Sequence, residues 1–343
     1  MSRLPQAAAD LPAPPILVTG GAGFIGSHLV ERLLADGESV VVLDDVSTGS
    51  WDNLRAVAGH PRLRCLESRV SNCGELPGLV ASAKAVHHLA AAVGVELVVQ
   101  SALRAMETNL RETEVLLEAA SRSSTPVLLA STSEVYGRSA KEAFAEDDDL
   151  IIGPPTVGRW SYACSKLVDE FLALAHARER GLPVVVARLF NTVGPRQTGR
   201  HGMVLPRFIA AARAGEPLRV YGDGEQTRCF CWVGDTVEAL VRLQRCPAAR
   251  GEVFNVGCDE EISIAALAGR VIDVLGSASG VERVPYATAY AAGFEDMPRR
   301  RPRLEKLERV TGFRPRTPLS AIIERTAAHD WRRLPAGEAP SGE

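Results

Sequence analysis

No apolar run in this 343-residue chain approaches the ~20 residues that a membrane-spanning helix needs, so a bilayer protein is not expected. A Cys-x-x-Cys pair is missing too. The seven cysteines, Cys65, Cys73, Cys164, Cys229, Cys231, Cys246 and Cys258, are scattered and odd in number, which fits neither a disulfide framework nor a zinc cage. They read as reduced thiols of a cytoplasmic protein, and no metal site is expected. Charge of one sign is not in excess: 39 basic residues face 42 acidic ones, a net of −3, and nothing points to nucleic acid. Residues 1–14 are rich in Ala and Pro, lack the basic start and apolar run of a signal peptide, and read as a loose tail, as does the Pro/Gly/Glu-rich stretch 334–343. There is no internal repeat and no low-complexity linker.

What is present is an alternation of short apolar runs with longer helical patterns. ILVTG at 16–20, VVVLD at 40–44, AVHHLA at 85–90, VLLAST at 127–132 and VVVARLF at 184–190 have strand length and carry no polar alternation, as expected of strands buried on both faces of a parallel sheet. Apolar residues at helical spacing predict helices over Ser27–Asp36, Ala102–Ser121 and Ser161–Arg180, with Ser121–Thr125 a loop into the next strand. The fold class is therefore α/β, a Rossmann-type doubly wound parallel sheet over residues 15–193. From Gly194 the chain turns loop-rich, as in GPRQTGRHG and YGDGEQTR, which predicts a smaller C-terminal substrate-binding lobe over 194–333, with strand or helix exchange between it and the first part.

VTGGAGFIGSHLVERLL carries glycines at Gly20, Gly23 and Gly26, directly after a strand and before a helix. Glycine is needed there because the backbone must turn sharply and approach a pyrophosphate closely, the phosphates resting on the helix amino terminus. Asp44 ends the second strand, 18 residues after Gly26, where a carboxylate can bond ribose hydroxyls and repel a 2′-phosphate. NAD is thus favoured over NADP.

Tyr162 and Lys166 stand at i and i+4 on a predicted helix and share one face. A nearby ammonium stabilises phenolate, so Tyr162 can remove a hydroxyl proton while hydride leaves the same carbon. A second polar cluster, Ser131, Thr132, Ser133 and Glu134, ends a buried strand. With TGGAGFIG, STSEVYG, YACSK, RLFNTVGPR and YGDGEQTR in this order, the chain resembles the extended short-chain dehydrogenase/reductases of the sugar-nucleotide branch, from about Ile16 to Trp331.

That resemblance implies a triad of Thr132, Tyr162 and Lys166, NAD that stays bound, a nucleoside diphosphate sugar substrate and a homodimer joined by a four-helix bundle. It places Gly20, Gly23, Phe24, Ile25, Gly26, Asp44, Leu89, Ala90, Asn109, Tyr162 and Lys166 around the cofactor. Asn191, Val204, Arg207, Tyr221, Gln226, Arg228 and Arg300 fall to the substrate. For Arg228 the chemistry agrees, since a guanidinium forks onto phosphate oxygens. One departure concerns adenine: where the family carries an aspartate after the third strand, this chain has Arg69.

Members of this branch oxidise carbon 4 of the sugar and diverge afterwards. Simple 4-epimerases carry small residues where this chain has Ser133 and Glu134, and dehydratases acting on dTDP-glucose use Asp then Glu. Ser-Glu resembles UDP-glucuronate decarboxylases, and EDMPRRRP at 295–302 resembles the region that supplies their arginine, with Arg300 in register. GDP-mannose dehydratases share Thr-Ser-Glu but prefer NADP. The expectation is conversion of UDP-glucuronate to UDP-xylose, with Ser133, Glu134 and Arg300 beside the triad. The alternative is a UDP-hexose or UDP-glucuronate 4-epimerase, which AAAVGVELVV at 90–99 resembles more. A dTDP- or GDP-sugar 4,6-dehydratase and an idle NAD-binding scaffold are weaker readings.

Overall fold

The computed structural model describes residues 11–92, 101–197, 203–285, 297 and 299–329. Most of the two tails, residues 93–99 of the epimerase-like segment, and residues 295, 296 and 298 of EDMPRRRP lie outside them.

Seven parallel strands form the main sheet. In chain order they are β1 (Ile16–Thr19), β2 (Val40–Asp44), β3 (Leu63–Glu67), β4 (Ala85–His88), β5 (Val127–Thr132), β6 (Val184–Leu189) and, from far downstream, a strand at Glu252–Val256; across the sheet they run Glu252–Val256, β6, β5, β4, β1, β2, β3. Sequence order reverses between β1 and β4, and it is outside the carboxyl ends at such a switch point that α/β sheets bind ligands.

Alternate residues feed two separate cores. Leu17, Val41, Leu43, Val86, Leu129 and Val186 meet one layer of helices, α2 (Leu76–Ser82), α3 (Ala102–Ser123) and α4 (Trp160–Arg180), through Leu79, Leu116 and Ala173. Ile16, Val18, Val40 and Val42 pack on the other face against α1 (Phe24–Ala35) and the helix Val233–Arg245, through Leu29, Leu33 and Val237. Both faces are therefore dry, which is why these strands read as unbroken apolar runs. Truncating one such side chain, Leu17→Ala for example, costs about 2–5 kcal/mol.

Boundaries differ from the sequence expectation where glycine or a charged turn hides the helix. The first helix starts at Phe24, three residues early, directly on Gly23 with no side-chain cap. The third runs on to Ser123 instead of ending at Ser121, and closes on Ser124 in the left-handed region at φ 53°. So the expected 121–125 loop is mostly helix.

Beyond β6 the chain forms a further core of its own. Short strands β7 (Thr192–Val193), β8 (Leu218–Tyr221), β9 (Thr227–Cys229) and β10 (Cys231–Trp232) pair locally or with later strands, and Leu205, Phe208 and Ile209 of the helix Val204–Ala214 pack on Leu267, Val271, Ile322 and Ile323. The strand Glu252–Val256 nonetheless returns to β6 in register, Phe254 opposite Ala187. Among the described residues no helix is long and apolar enough to cross a membrane. All seven cysteines are unpaired.

Candidate active site

The glycine loop leaves β1 through Gly20, whose φ of +72° is reached cheaply only without a Cβ. A Cβ there would stand 2.7 Å from Ala90 N, and one on Gly26 would stand 2.1 Å from Gly20 O. These two positions hold the loop against Leu89 and Ala90 on one side and against the first turn of α1 on the other. Leu89 N donates to Thr19 O at 3.1 Å and Ala90 N to the Thr19 hydroxyl at 3.3 Å, so Leu89 and Ala90 abut the loop from β4. Phe24 and Ile25 open α1, whose first turn has neither an acidic residue nor a side-chain cap. Its orphan N–H groups are available to an anion.

Asp44 lies at the carboxyl end of β2 and is nearly buried. Its Oδ2 accepts from Ala22 N at 2.9 Å and its Oδ1 from Val46 N at 2.8 Å. Burial pushes its carboxyl above the usual range, and the Val46 and Ala22 N–H groups oppose that. Each oxygen keeps a second lone pair for a hydroxyl. Asp45 points elsewhere, to Ser47 and to Arg69, whose Nε donates to Asp45 Oδ2 at 3.1 Å. Arg69, the departure noted above, is thus held at the edge of the same corner. A phosphate-accepting helix end, glycines that admit no Cβ and a carboxylate on the second strand fit a dinucleotide with free ribose hydroxyls.

The expected reacting groups hang from β5 and α4. Thr132 ends β5 and caps a single helical turn at Ser133–Tyr136 by accepting from Glu134 N at 3.3 Å. Ser133 is buried at the head of that turn. Tyr162 is half-buried on the first turn of α4; burial and the charges of Glu134 and Asp169 push its hydroxyl up, and a hydrogen bond with Thr132 pulls it down. Lys166, one turn on, is buried and gives its Nζ to Asp169 Oδ2 at 2.9 Å. The sequence led to the expectation that the ammonium lowers Tyr162; in this arrangement the hydroxyl is instead held above its usual value, because burial and the Glu134 and Asp169 charges outweigh the Thr132 hydrogen bond. Asn109 on α3 accepts from Ala92 N at 2.7 Å and donates to the Ser165 hydroxyl at 3.1 Å, tying the Lys166 helix to the chain after β4.

A buried ion pair sets the height of α4. Glu170 receives both Nε and Nη2 of Arg188 on β6, with Nη2 to Oε2 at 2.8 Å, and also binds the Ser131 hydroxyl. Arg188 Nη1 donates to Tyr136 Oη at 2.9 Å, and Tyr136 Oη donates to Asn255 Oδ1 at 2.8 Å. Removing one member of such a pair would strand a charge in the interior at a cost of about 3–5 kcal/mol.

Arg300 reaches the same place from the far end of the chain. The backbone of residues 301–303 bridges to Phe144, with Phe144 N donating to Arg301 O and Arg303 N to Phe144 O, both at 2.8 Å. Phe144 stacks on Tyr136, which closes the Glu134 turn. Both charged groups are thereby hung from one aromatic anchor. Arg300 Nη1 lies 3.4 Å from Glu134 Oε1, and Nη2 donates to Asn191 Oδ1 at 3.0 Å. Asn191 in turn donates to Cys229 O at 3.1 Å, bringing the strand that carries Arg228 alongside.

The remaining expected substrate residues gather in the later segment. Arg207 donates to Tyr221 Oη at 2.7 Å, Gln226 Nε2 to Tyr221 O at 3.3 Å, and Val204 opens the Arg207 helix half-buried. Arg228 is buried and donates to Thr227 O at 2.7 Å. Sequence reasoning missed Asp169, Arg188 and Glu170. Asp169 and Glu170 follow Lys166 by three and four positions, so helical spacing was a usable signal for both.

Residues 16–257 match the model of the NAD dependent epimerase/dehydratase family. A Bacillus cytotoxicus UDP-N-acetyl-α-D-glucosaminuronate decarboxylase is 39% identical over 87% of this chain and 92% of its own length. The Danio rerio UDP-glucuronic acid decarboxylase 1 is 34% identical over 93% of this chain and 73% of its own. Among solved structures, Bacillus cereus UDP-glucuronic acid 4-epimerase in complex with UDP-glucuronic acid and NAD superposes with a TM-score of 0.81 at 27% identity, covering 91% of this chain and 98% of that one.

Proposed function

Because the chain belongs to the NAD dependent epimerase/dehydratase family, we propose that it is a UDP-glucuronate decarboxylase that forms UDP-xylose. The observation that carries this reading over 4-epimerisation is the Arg300–Glu134 contact beside Thr132 and Tyr162. An epimerase needs only hydride and proton transfer at carbon 4, whereas a charged pair of this kind has work at carbon 5 and the carboxylate. The names of the relatives above point the same way.

Gly20, Gly23, Phe24, Ile25, Gly26, Asp44, Leu89, Ala90 and Asn109 would hold NAD, together with Tyr162 and Lys166. Bound there, NAD supplies an acceptor for the carbon-4 hydride and the donor that returns it, so none is consumed overall. Tyr162 takes the proton of the 4-hydroxyl at its Oη, with Thr132 hydrogen-bonded to the same oxygen. Arg300 orients the carboxylate of the resulting 4-keto acid, in which the C5–C6 electrons can flow into the carbonyl as carbon dioxide leaves. Once the substrate carboxylate takes its place on Arg300, Glu134 picks up a proton from solvent and delivers it to carbon 5, Ser133 fixes the turn that aims it, and Tyr162 returns its proton to the 4-oxygen. Arg228 meets the diphosphate, while Asn191, Val204, Arg207, Tyr221 and Gln226 line the nucleotide.

The division into a cofactor part, 15–193, and a sugar-nucleotide lobe, 194–333, is supported by the separate apolar core around Leu205 and Leu267. A homodimer through α3 and α4 is supported by the apolar side chains these adjoining helices leave exposed, Leu103 at 71% and Phe171 at 63%. Seven unpaired cysteines suit the cytoplasm.

A second reading rests on the Bacillus cytotoxicus relative: the substrate is the 2-acetamido counterpart of UDP-glucuronate. Incubating the protein with each sugar acid and NAD, followed by mass analysis, decides. Loss of carbon dioxide from UDP-glucuronate is expected; loss from the acetamido sugar alone favours the second reading. An isomer of unchanged mass overturns both.

A further inference from the structure

Lys166 does not stand free beside Tyr162. Its side chain is 3% exposed, and its ammonium is gripped at 2.9 Å by Oδ2 of Asp169, whose side chain is fully buried. Asp169 Oδ1 has no hydrogen-bond partner among the described residues, and Thr113 on α3 helps to hold the carboxylate. A buried carboxylate is costly unless paired, so Lys166 is what makes Asp169 tolerable, and the reverse holds equally.

We infer that Asp169 is a positioning residue for the Tyr162–Lys166 pair: its carboxylate fixes the Lys166 ammonium on the inner face of α4, one turn along from Tyr162. The inference rests on the proposed role of Tyr162 as the base. The helix makes the arrangement compulsory, because positions 162, 166 and 169 fall on one face at spacings of four and three.

Among the described residues, the charged groups on the elements around Asp169, other than Lys166, are otherwise engaged. On its own helix Glu170 is bound by Arg188 of β6, and across on α3 Glu112 accepts from Ser71 N and the Ser71 hydroxyl. Glu134, at the end of β5, contacts Arg300. His88 on β4 is bonded to Thr19 at 2.7 Å and to Thr113 at 3.3 Å, and is kept neutral, pushed down to about 3 by burial and by the Lys166 charge. Among the described residues Lys166 is left as the counter-charge of Asp169. Burial drives the Asp169 carboxyl up and the ammonium draws it back; its negative charge in turn raises Tyr162.

Asp169→Asn keeps an oxygen for Nζ and removes the charge, whereas Asp169→Ala removes both. Because the Asp169 charge opposes phenolate, its loss moves the acidic limb of the kcat/KM profile of decarboxylation down by about one pH unit in Asp169→Asn. Asp169→Ala is expected to lose about tenfold in kcat as well. Activity that is merely scaled, with both limbs where the wild type has them, overturns the proposal. Lys84, Lys141, Lys166 and Lys306 are the chain's four lysines, which allows a second test on the unaltered protein without substrate. In a 15N-lysine spectrum the Lys166 ammonium should give a slowly exchanging signal that disappears in Lys166→Arg. Absence of that signal overturns the ion pair whatever the reaction is. A wild type that shows the signal but decarboxylates neither sugar acid sinks the functional reading and leaves the ion pair standing.

Discussion

Arg300 Nη1 stands 3.4 Å from Glu134 Oε1 although 166 positions separate the two residues. Neither side chain belongs to the cofactor loop, and each arrives by a different route, Glu134 on the turn after β5 and Arg300 on a segment bridged to Phe144. Their meeting joins the C-terminal segment to the turn that Thr132 caps at the carboxyl end of β5.

Glu134→Gln keeps the shape and removes the proton that carbon 5 needs. Turnover of UDP-glucuronate should fall by about 10²–10⁴ while KM stays near the wild-type value. Arg300→Ala should raise KM instead, because it takes away the partner of the carboxylate. Steady-state kinetics on the two variants separate the roles, and equal effects on both constants would contradict them.

Tyr162→Phe deletes one oxygen from a half-buried ring. A loss of about 10³ or more in kcat is expected, with the thermal midpoint within a few degrees of the wild type. A midpoint that falls sharply would instead assign Tyr162 to the fold.

Gly26→Ala places a methyl carbon 2.1 Å from Gly20 O, a backbone atom that cannot step aside without opening the loop. Isothermal titration with NAD should show binding abolished. Chemical denaturation should register a loss of about 1–3 kcal/mol.

His87 and His88 are buried side by side in sequence on β4, pointing to opposite faces, and burial pushes both down to about 3 from 6.5. Between those values the unfolded chain binds more protons than the folded one. The stability this contributes is complete above 6.5 and is lost as the pH falls toward 3. Going from about pH 7 to about pH 5 should cost about 2 kcal/mol for each histidine, read as a lower urea midpoint. A midpoint unchanged over that interval would mean the histidines are not held neutral.

Phe171 is 63% exposed on α4, close in sequence to Val168 at 38%. Phe171→Glu should shift the proposed homodimer to monomer in light scattering and leave the secondary structure intact. A monomeric wild type would dispose of the dimer.

Much of this architecture could be read from residues alone, for identifiable reasons. β2 was legible to the residue because VVVLD is buried on both faces and ends on a charge. The glycine loop and the Tyr162–Lys166 spacing are local patterns, and the structure presents them as spaced. The strand Glu252–Val256 was not legible as a sheet member, since its partner β6 lies more than sixty residues back and EVFNV alternates like a half-exposed strand. Asp169 was overlooked because a Lys and an Asp three apart on a helix usually form a solvated surface pair; only the packing of α3 and β4 over them makes the pair buried. The Arg69–Asp45 contact depends on how two loops fold toward each other, which no spacing encodes.

That late strand also governs how the chain can be divided. A fragment ending at residue 194 would lose Glu252–Val256 and present VVVARL of β6 as a bare, flat border of the sheet, rich in β-branched residues and open along its whole length. Such borders recruit copies of themselves, so the truncated piece should collect in the pellet instead of behaving as an autonomous nucleotide-binding unit, and the two ends of the gene would tolerate separation only if the strand were supplied in trans.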